Sequence, residues 1–181
     1  MNSEIERRIC AFNEMRDIPY HIDLVNKDLD RSCVTKSVLL GERLKMGFGL
    51  ASRIVCCRFR WNSMPLPAAL KARISRSDSW HEYLEVMIPE TETWAALDPT
   101  LDSGLKKAGF PIAEWDGLGS TILAVKPIQT FTPEQSRRLV QVRADLSATA
   151  LRQYYEENAD FIDGLNAWVA RARQGLETPH A

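Results

Sequence analysis

The sequence predicts an α+β domain, a helix bearing a cysteine packed on an antiparallel sheet, with further helices added at the C-terminal end. Two observations carry this. Apolar residues at helical spacing bracket the chain, and strictly alternating runs between residues 53 and 97 read as strands. Helices, then adjacent strands, then helices gather around one antiparallel sheet more readily than around a parallel one. The 181 residues suit one compact unit, with 1–131 as the main domain and 132–181 as a helical extension packed on it.

The elements follow in order. Ile5, Ile9, Phe12 and Met15 mark an amphipathic opening helix that Pro19 ends, and a polar stretch runs from there to Arg31. A second helix is expected from Ser32 to Met46, capped by Asp30 or Ser32, with Val34, Val38, Leu40 and Leu44 facing inward and Gly47 as terminator. Arg53 to Trp61 alternates, with Val55, Cys57, Phe59 and Trp61 on one face and Arg58 and Arg60 on the other. Trp80 to Ile88 alternates again: Leu84, Val86 and Ile88 take one face, His81, Tyr83 and Glu85 the polar-facing one. Trp94 to Leu97 completes a hairpin, and Thr121 to Pro127 is expected as a further strand. Thr132-Pro133-Glu134-Gln135 is a helix start, with a threonine cap, proline at the first position and glutamine three residues after the cap. Helical periodicity then lasts to Arg173 through Leu139, Val142, Leu146, Leu151, Tyr154, Tyr155, Phe161, Leu165, Trp168 and Val169. A break is expected near Ser147 or Asn158. Such an apolar face has to be covered by the sheet or, in a homodimer, by a second subunit.

Composition narrows the function classes. The formal charge of −1 lacks the basic excess of a nucleic-acid binder. Apolar runs are too short for a membrane span, and Met1 to Arg8 has no secretory pattern, so a soluble cytoplasmic protein is expected. Charge is nevertheless uneven. Residues 36–76 hold nine Lys or Arg against Glu42, while 77–102 hold seven acids and no Lys or Arg. Complementary pairing across neighbouring strands is the simpler reading of that asymmetry. Four cysteines without Cys-x-x-Cys spacing, and three histidines (His21, His81 and His180), predict free thiols and neither a metal site nor a cofactor. Cys56 and Cys57, adjacent in a strand, point to opposite faces as small buried residues.

Three residues combine into chemistry. Cys33 falls in the first turn of a helix, where backbone N–H groups and the helix dipole favour a thiolate. His81 opens one strand of the hairpin and Asp98 ends the other, close enough across the ladder for the carboxylate to orient the imidazole toward the thiol.

Around these residues the sequence resembles the transglutaminase-like proteins of the papain-like cysteine-protease superfamily. Ser32-Cys33-Val34-Thr35-Lys36 followed by aliphatic residues looks like the family's nucleophile helix. Gly49-Leu50-Ala51-Ser52-Arg53-Ile54-Val55 resembles its turn into a strand. His81-Glu82-Tyr83-Leu84-Glu85-Val86 is similar to its histidine strand, and Trp94-Ala95-Ala96-Leu97-Asp98-Pro99-Thr100 to its aspartate strand. The resemblance covers residues 32–102. It implies a papain-like core with Cys33 as nucleophile, His81 as base and Asp98 as orienting group. It further implies acyl transfer from a peptide or protein amide through a thioester, ending in hydrolysis or cross-linking. The Cys33 backbone N–H supplies one oxyanion donor, and Tyr20 and Asn26 are candidates for the other. Two alternatives carry different chemistry. One is a non-catalytic interaction module using Trp61, Trp80 and Trp94; the other is a redox sensor pairing Cys33 with another cysteine.

Overall fold

The computed structural model describes residues 3–26 and 28–176; Met1, Asn2 and His180, named above, lie outside them. Helix α1 (Glu4–Arg16) starts in a reciprocal cap, the Ser3 hydroxyl accepting from the Glu6 N–H and the Glu6 carboxylate from the Ser3 N–H. Helix α2 (Cys33–Phe48) leads into β1 (Ser52–Arg60). A one-turn helix α3 (Ala68–Lys71) precedes β2 (Asp78–Ile88) and β3 (Thr93–Leu97). The short β4 (Gln129–Thr130) precedes α4 (Pro133–Ala144) and α5 (Ala148–Arg173). The four strands form one antiparallel sheet in the order β3-β2-β1-β4, so the molecule is α+β as expected.

Both faces of the sheet are covered. On one face Leu84, Val86, Ile88 and Leu97 meet Phe12, Leu40 and Leu44 of α1 and α2. On the other, Val55, Cys57, Phe59 and Tyr83 meet Phe161, Leu165, Trp168 and Val169 of α5. Residues from both proposed portions of the chain therefore share one core. The face of β2 expected to be polar is buried, with His81 and Tyr83 enclosed, because α5 lies where solvent was expected. The charge asymmetry resolves as strand pairing: Arg53 meets Glu85 at 2.7 Å, and Arg58 and Arg60 meet Asp78 at 2.6 and 3.3 Å.

Several local expectations are corrected. Helix α2 is rotated relative to its apolar pattern: Lys36, Ser37, Leu40, Gly41 and Leu44 are buried, while Val38 is 39% exposed and Val34 half-buried. Gly41 permits this close packing, since a Cβ there would stand 3.1 Å from Leu84 Cδ1. The helix stops at Gly49, not Gly47, because Gly49 takes the left-handed conformation (φ 67°) that closes the last turn.

Residues 121–127 form no strand. The Thr121 N–H bonds to the Ala96 carbonyl (2.8 Å), but the Ala124 N–H goes to the Asp98 carboxylate (2.7 Å) and Pro127 has no N–H to give, so no ladder propagates. Pairing resumes at Gln129–Thr130, on the opposite edge of the sheet beside β1.

The C-terminal helices start and break where capping chemistry predicts. Thr132 and Gln135 form the reciprocal cap of α4, and the break falls at Ser147, whose hydroxyl caps α5. The apolar face is buried only in its second half. Val142, Leu146 and Tyr154 are exposed, whereas Phe161 through Ala172 enter the core.

Candidate active site

Strand parity and one helix terminus bring the predicted residues together. On β2, His81 shares a face with Tyr83, and the β2–β3 register (Leu84 opposite Leu97) puts Asp98 on that same face just beyond the strand end. Asp98 and His81 are thus diagonal neighbours, not directly opposite ones, and the imidazole crosses the diagonal to bring Nε2 within 2.6 Å of Asp98 Oδ2. Asp98 is itself held from three sides. Its Oδ1 accepts from the Thr100 N–H (3.1 Å), its Oδ2 from the Ala124 N–H (2.7 Å), and its own N–H donates to Thr121 Oγ1 (3.0 Å).

Cys33 begins α2, and its side chain adjoins His81, adding to the pull that keeps the imidazole charged. With Nε2 committed to Asp98, Nδ1 is the ring nitrogen left for the sulfur. Ser32 is the N-cap, but its hydroxyl donates to Asp30 Oδ2 (2.8 Å) and makes no bond to the first turn. No side-chain cap therefore competes for the N–H groups around Cys33.

The electrostatics are those of a buried ion pair. Burial opposes a charged His81, yet the Asp98 charge and hydrogen bond, with a contribution from Cys33, outweigh it and raise the imidazole to about 10. Burial likewise opposes the Asp98 carboxylate, but His81 and the Thr100 and Ala124 hydrogen bonds hold it below its ordinary value. Both directions agree on imidazolium facing carboxylate at neutral pH. Burial pushes the Tyr20 phenol well up, and the negative charge available on Cys33, Asp30 and Asp98 adds to it.

Lys36, three residues beyond Cys33, is fully buried; its Nζ donates to the carbonyls of Arg16 (2.8 Å) and Thr100 (3.0 Å). Burial pulls its amine down to about 7 against the pull of Asp102, Asp17 and Asp98. A neutral amine still carries two N–H bonds, enough for both carbonyls. Lys36 thereby ties α2 to the segment just after Asp98. Its spacing with Leu40 and Leu44 (i, i+4, i+8) was the available signal that it faces inward.

Cys33 and His81 open on a cavity of about 150 Å³. Tyr20, Phe59, Trp61, Thr100 and Phe110 line it, and so do Tyr154, Asn158, Phe161 and Leu165 of α5, a contribution that the sequence did not reveal. Trp80, 52% exposed, sits at its edge. Of the two upstream oxyanion candidates, only Tyr20 is in this lining. Asn26 lies on an exposed turn, its side-chain oxygen accepting the Asp28 N–H (3.1 Å).

The last turn of α5 is tied to the same region. Arg173 donates to the Asp102 carboxylate (2.8 to 3.1 Å) and to the Tyr20 carbonyl (2.7 Å), and Asp102 accepts the Tyr20 N–H (2.9 Å). On the far side of the sheet, Glu82 meets Arg143 of α4 in a two-pronged pair at 2.7 and 3.1 Å.

The other thiols are differently placed. Cys57 is in the core and Cys56 is buried beside Ser136, whose hydroxyl accepts the Cys56 N–H (3.0 Å). Burial pushes both thiols up to about 12.

No family model, no curated protein and no solved structure matches this chain.

Proposed function

We propose that the chain is a cysteine-dependent acyl-transfer enzyme, built on a papain-like core of the transglutaminase-like kind, that hydrolyses an amide or peptide bond through a thioester. The observation that carries the reading is His81, buried, hydrogen-bonded to Asp98 and set beside Cys33 at the wall of a cavity. A histidine serving only the core needs neither a cysteine at a helix N-terminus nor a cavity beside it. The order of the elements supports the same reading: helix with cysteine, strand with histidine, strand end with aspartate.

In the proposed reaction the Cys33 thiolate attacks the substrate carbonyl, and the carbonyl π electrons move onto oxygen. That oxyanion meets the Cys33 backbone N–H at the start of α2, with the Tyr20 hydroxyl as second donor. The His81 imidazolium then protonates the departing amine as the C–N bond breaks, leaving a thioester and a neutral imidazole. Water attacks the thioester, gives its proton to His81, and the C–S bond breaks to release the acid and restore the ion pair. Asp98 stays ionised throughout and holds the ring in one orientation. Hydrolysis is preferred to cross-linking because water needs no site of its own, whereas an amine acceptor needs a second, partly dry one.

The test is acid quenching of the protein during turnover of peptide p-nitroanilides, followed by intact-mass measurement. An acyl adduct on Cys33, absent from Cys33→Ala and released by water, is expected. A protein whose Cys33 alkylates readily but never acylates, and which releases no nitroaniline, would contradict the reading.

A further inference from the structure

The cavity beside Cys33 has a composition that the triad does not require. Its lining holds no Asp, Glu, Lys or Arg, and the one charged side chain in it, His81, is already paired with Asp98, so a charged group entering it would lose hydration without gaining a free partner. Seven of its residues are aromatic: Tyr20, Phe59, Trp61, Phe110, Tyr154 and Phe161, with Trp80 at the edge. Three of these form an edge-to-face chain, Phe59 to Trp61 at 4.9 Å between ring centres and Trp61 to Phe161 at 5.1 Å. A further ring entering this chain would find edges and faces already set at the favoured angles.

Size narrows the choice. A cavity of about 150 Å³ walled by Leu, Ile and Phe takes up a molecule as small as benzene. One ring on a short tether fills this space, and a long acyl chain exceeds it.

A second observation marks where the polar end of the occupant lies. Thr100 is buried and lines the cavity, and its Oγ1, beside the Asp98 carboxylate, makes no well-aligned hydrogen bond among the described residues. Its backbone is fully used, the N–H on Asp98 and the carbonyl on Lys36, so the residue is held in place while its hydroxyl is left over. An unpaired buried hydroxyl is costly, and a carbonyl or amide oxygen of a bound acyl group would relieve that cost.

We propose that the cavity is the acyl-donor pocket and that it selects an uncharged aromatic acyl group, with the ring among Phe59, Trp61 and Phe161 and its polar end beside Thr100. This deepens the acyl-transfer reading and rests on it. The ring belongs either to a simple aryl-alkyl acid or to a phenylalanine residue of a peptide.

The experiment offers the full chain hydrocinnamoyl, acetyl, succinyl and N-acetyl-phenylalanyl thioesters of N-acetylcysteamine and follows acyl-Cys33 by intact mass. Acylation exchanges one C–S bond for another: Cys33 sulfur bonds to the carbonyl carbon, and N-acetylcysteamine leaves as a thiol with the proton from His81. Hydrocinnamoyl transfer is expected to exceed acetyl and succinyl transfer at least tenfold. If the phenylalanyl donor reacts faster still, the ring comes from a peptide; if slower, from a simple acid. Filling the pocket with Ile162→Phe should bring the hydrocinnamoyl-to-acetyl ratio near one, with folding checked by circular dichroism.

Binding is measured separately by thermal shift of Cys33→Ala with hydrocinnamamide, which needs no chemistry. A shift without acylation of the wild type by any donor upholds the pocket and removes the acyl-transfer reading. Acylation with equal acetyl and hydrocinnamoyl rates, or faster succinyl transfer, overturns the pocket and leaves acyl transfer standing.

Discussion

Cys33 and the pair Cys56-Cys57 are the same chemical group in two opposite settings. Cys33 starts a helix, half-buried, against a charged histidine; Cys56 and Cys57 sit mid-strand under helices on either face of the sheet. Desolvation dominates the strand thiols and holds them protonated near neutrality. At Cys33 a cation lies within hydrogen-bond reach and an uncapped helix terminus adds its partial charge. On the proposed function, the reactive thiol is set by the secondary-structure position of the sulfur.

The largest effect that can break this contrast comes from Cys33→Ala. It should remove acyl transfer by roughly 10⁴-fold or more, as loss of a covalent nucleophile does, and delete the fast site of iodoacetamide labelling in peptide maps. Rapid labelling of Cys56 or Cys57 in the native wild type would invert the comparison. Next, His81→Ala and Asp98→Asn should each lower turnover by roughly 10²- to 10⁴-fold with the fold kept by circular dichroism. His81→Ala should also slow alkylation of Cys33, since the thiolate loses its partner.

The pH profile sharpens the contrast further. In the proposed reaction protonated His81 is the proton donor to the leaving amine, so activity should fall as pH rises through about 10. Asp98→Asn removes the charge that raises His81, and the alkaline limb should then move to lower pH. The same group affects stability. A histidine raised from 6.5 to about 10 stabilises the fold fully below 6.5 and loses that contribution as pH climbs through the folded value. Lys36, lowered from 10.5 to about 7, works in the opposite direction over nearly the same range: its cost to stability is removed as pH rises. The Tm gap between wild type and His81→Gln, which cancels the lysine, should therefore narrow between about pH 6.5 and about pH 10.

The smallest expected effect belongs to the strand. Cys57→Ser buries a hydroxyl in an apolar cluster and should cost about 1–3 kcal/mol by urea titration while leaving the labelling rate of Cys33 unchanged. A large drop in Cys33 reactivity in that variant would show the two settings to be coupled.

Sequence patterns made much of this legible. Alternation located β1 and β2, capping chemistry located the start of α4, the helical break falls at Ser147, one of the two points expected, and the expected hairpin puts His81 and Asp98 within one hydrogen bond. What escaped was long-range. Residues 121–127 carry a short apolar run that reads as a strand, but Asp98 captures the Ala124 N–H that a ladder would use, and no local pattern reports a contact 26 residues away. Lys36 escaped because a lysine is normally taken to be outside; its burial depends on two carbonyls from remote loops. The apolar residues of α4 and α5 carry one periodicity, yet periodicity alone does not separate Val142, 64% exposed, from Leu165 in the core. The cavity wall supplied by α5 combines chain segments more than a hundred residues apart and has no signature in either.

That late wall sets an order of events during translation. Cys33, His81 and Asp98 all leave the ribosome before α5 is made, and so do Asp102 and Tyr20, the groups to which Arg173 bonds. Until residue 173 is added, the nascent chain carries a complete set of reactive groups beside an uncovered face of Val55, Phe59 and Tyr83. Domains assemble from the N-terminus as they emerge, and a greasy face waiting for its cover is the kind of surface that holding chaperones bind. On the proposed function, docking of the final helix covers that face and completes the cavity beside Cys33 in one closing movement.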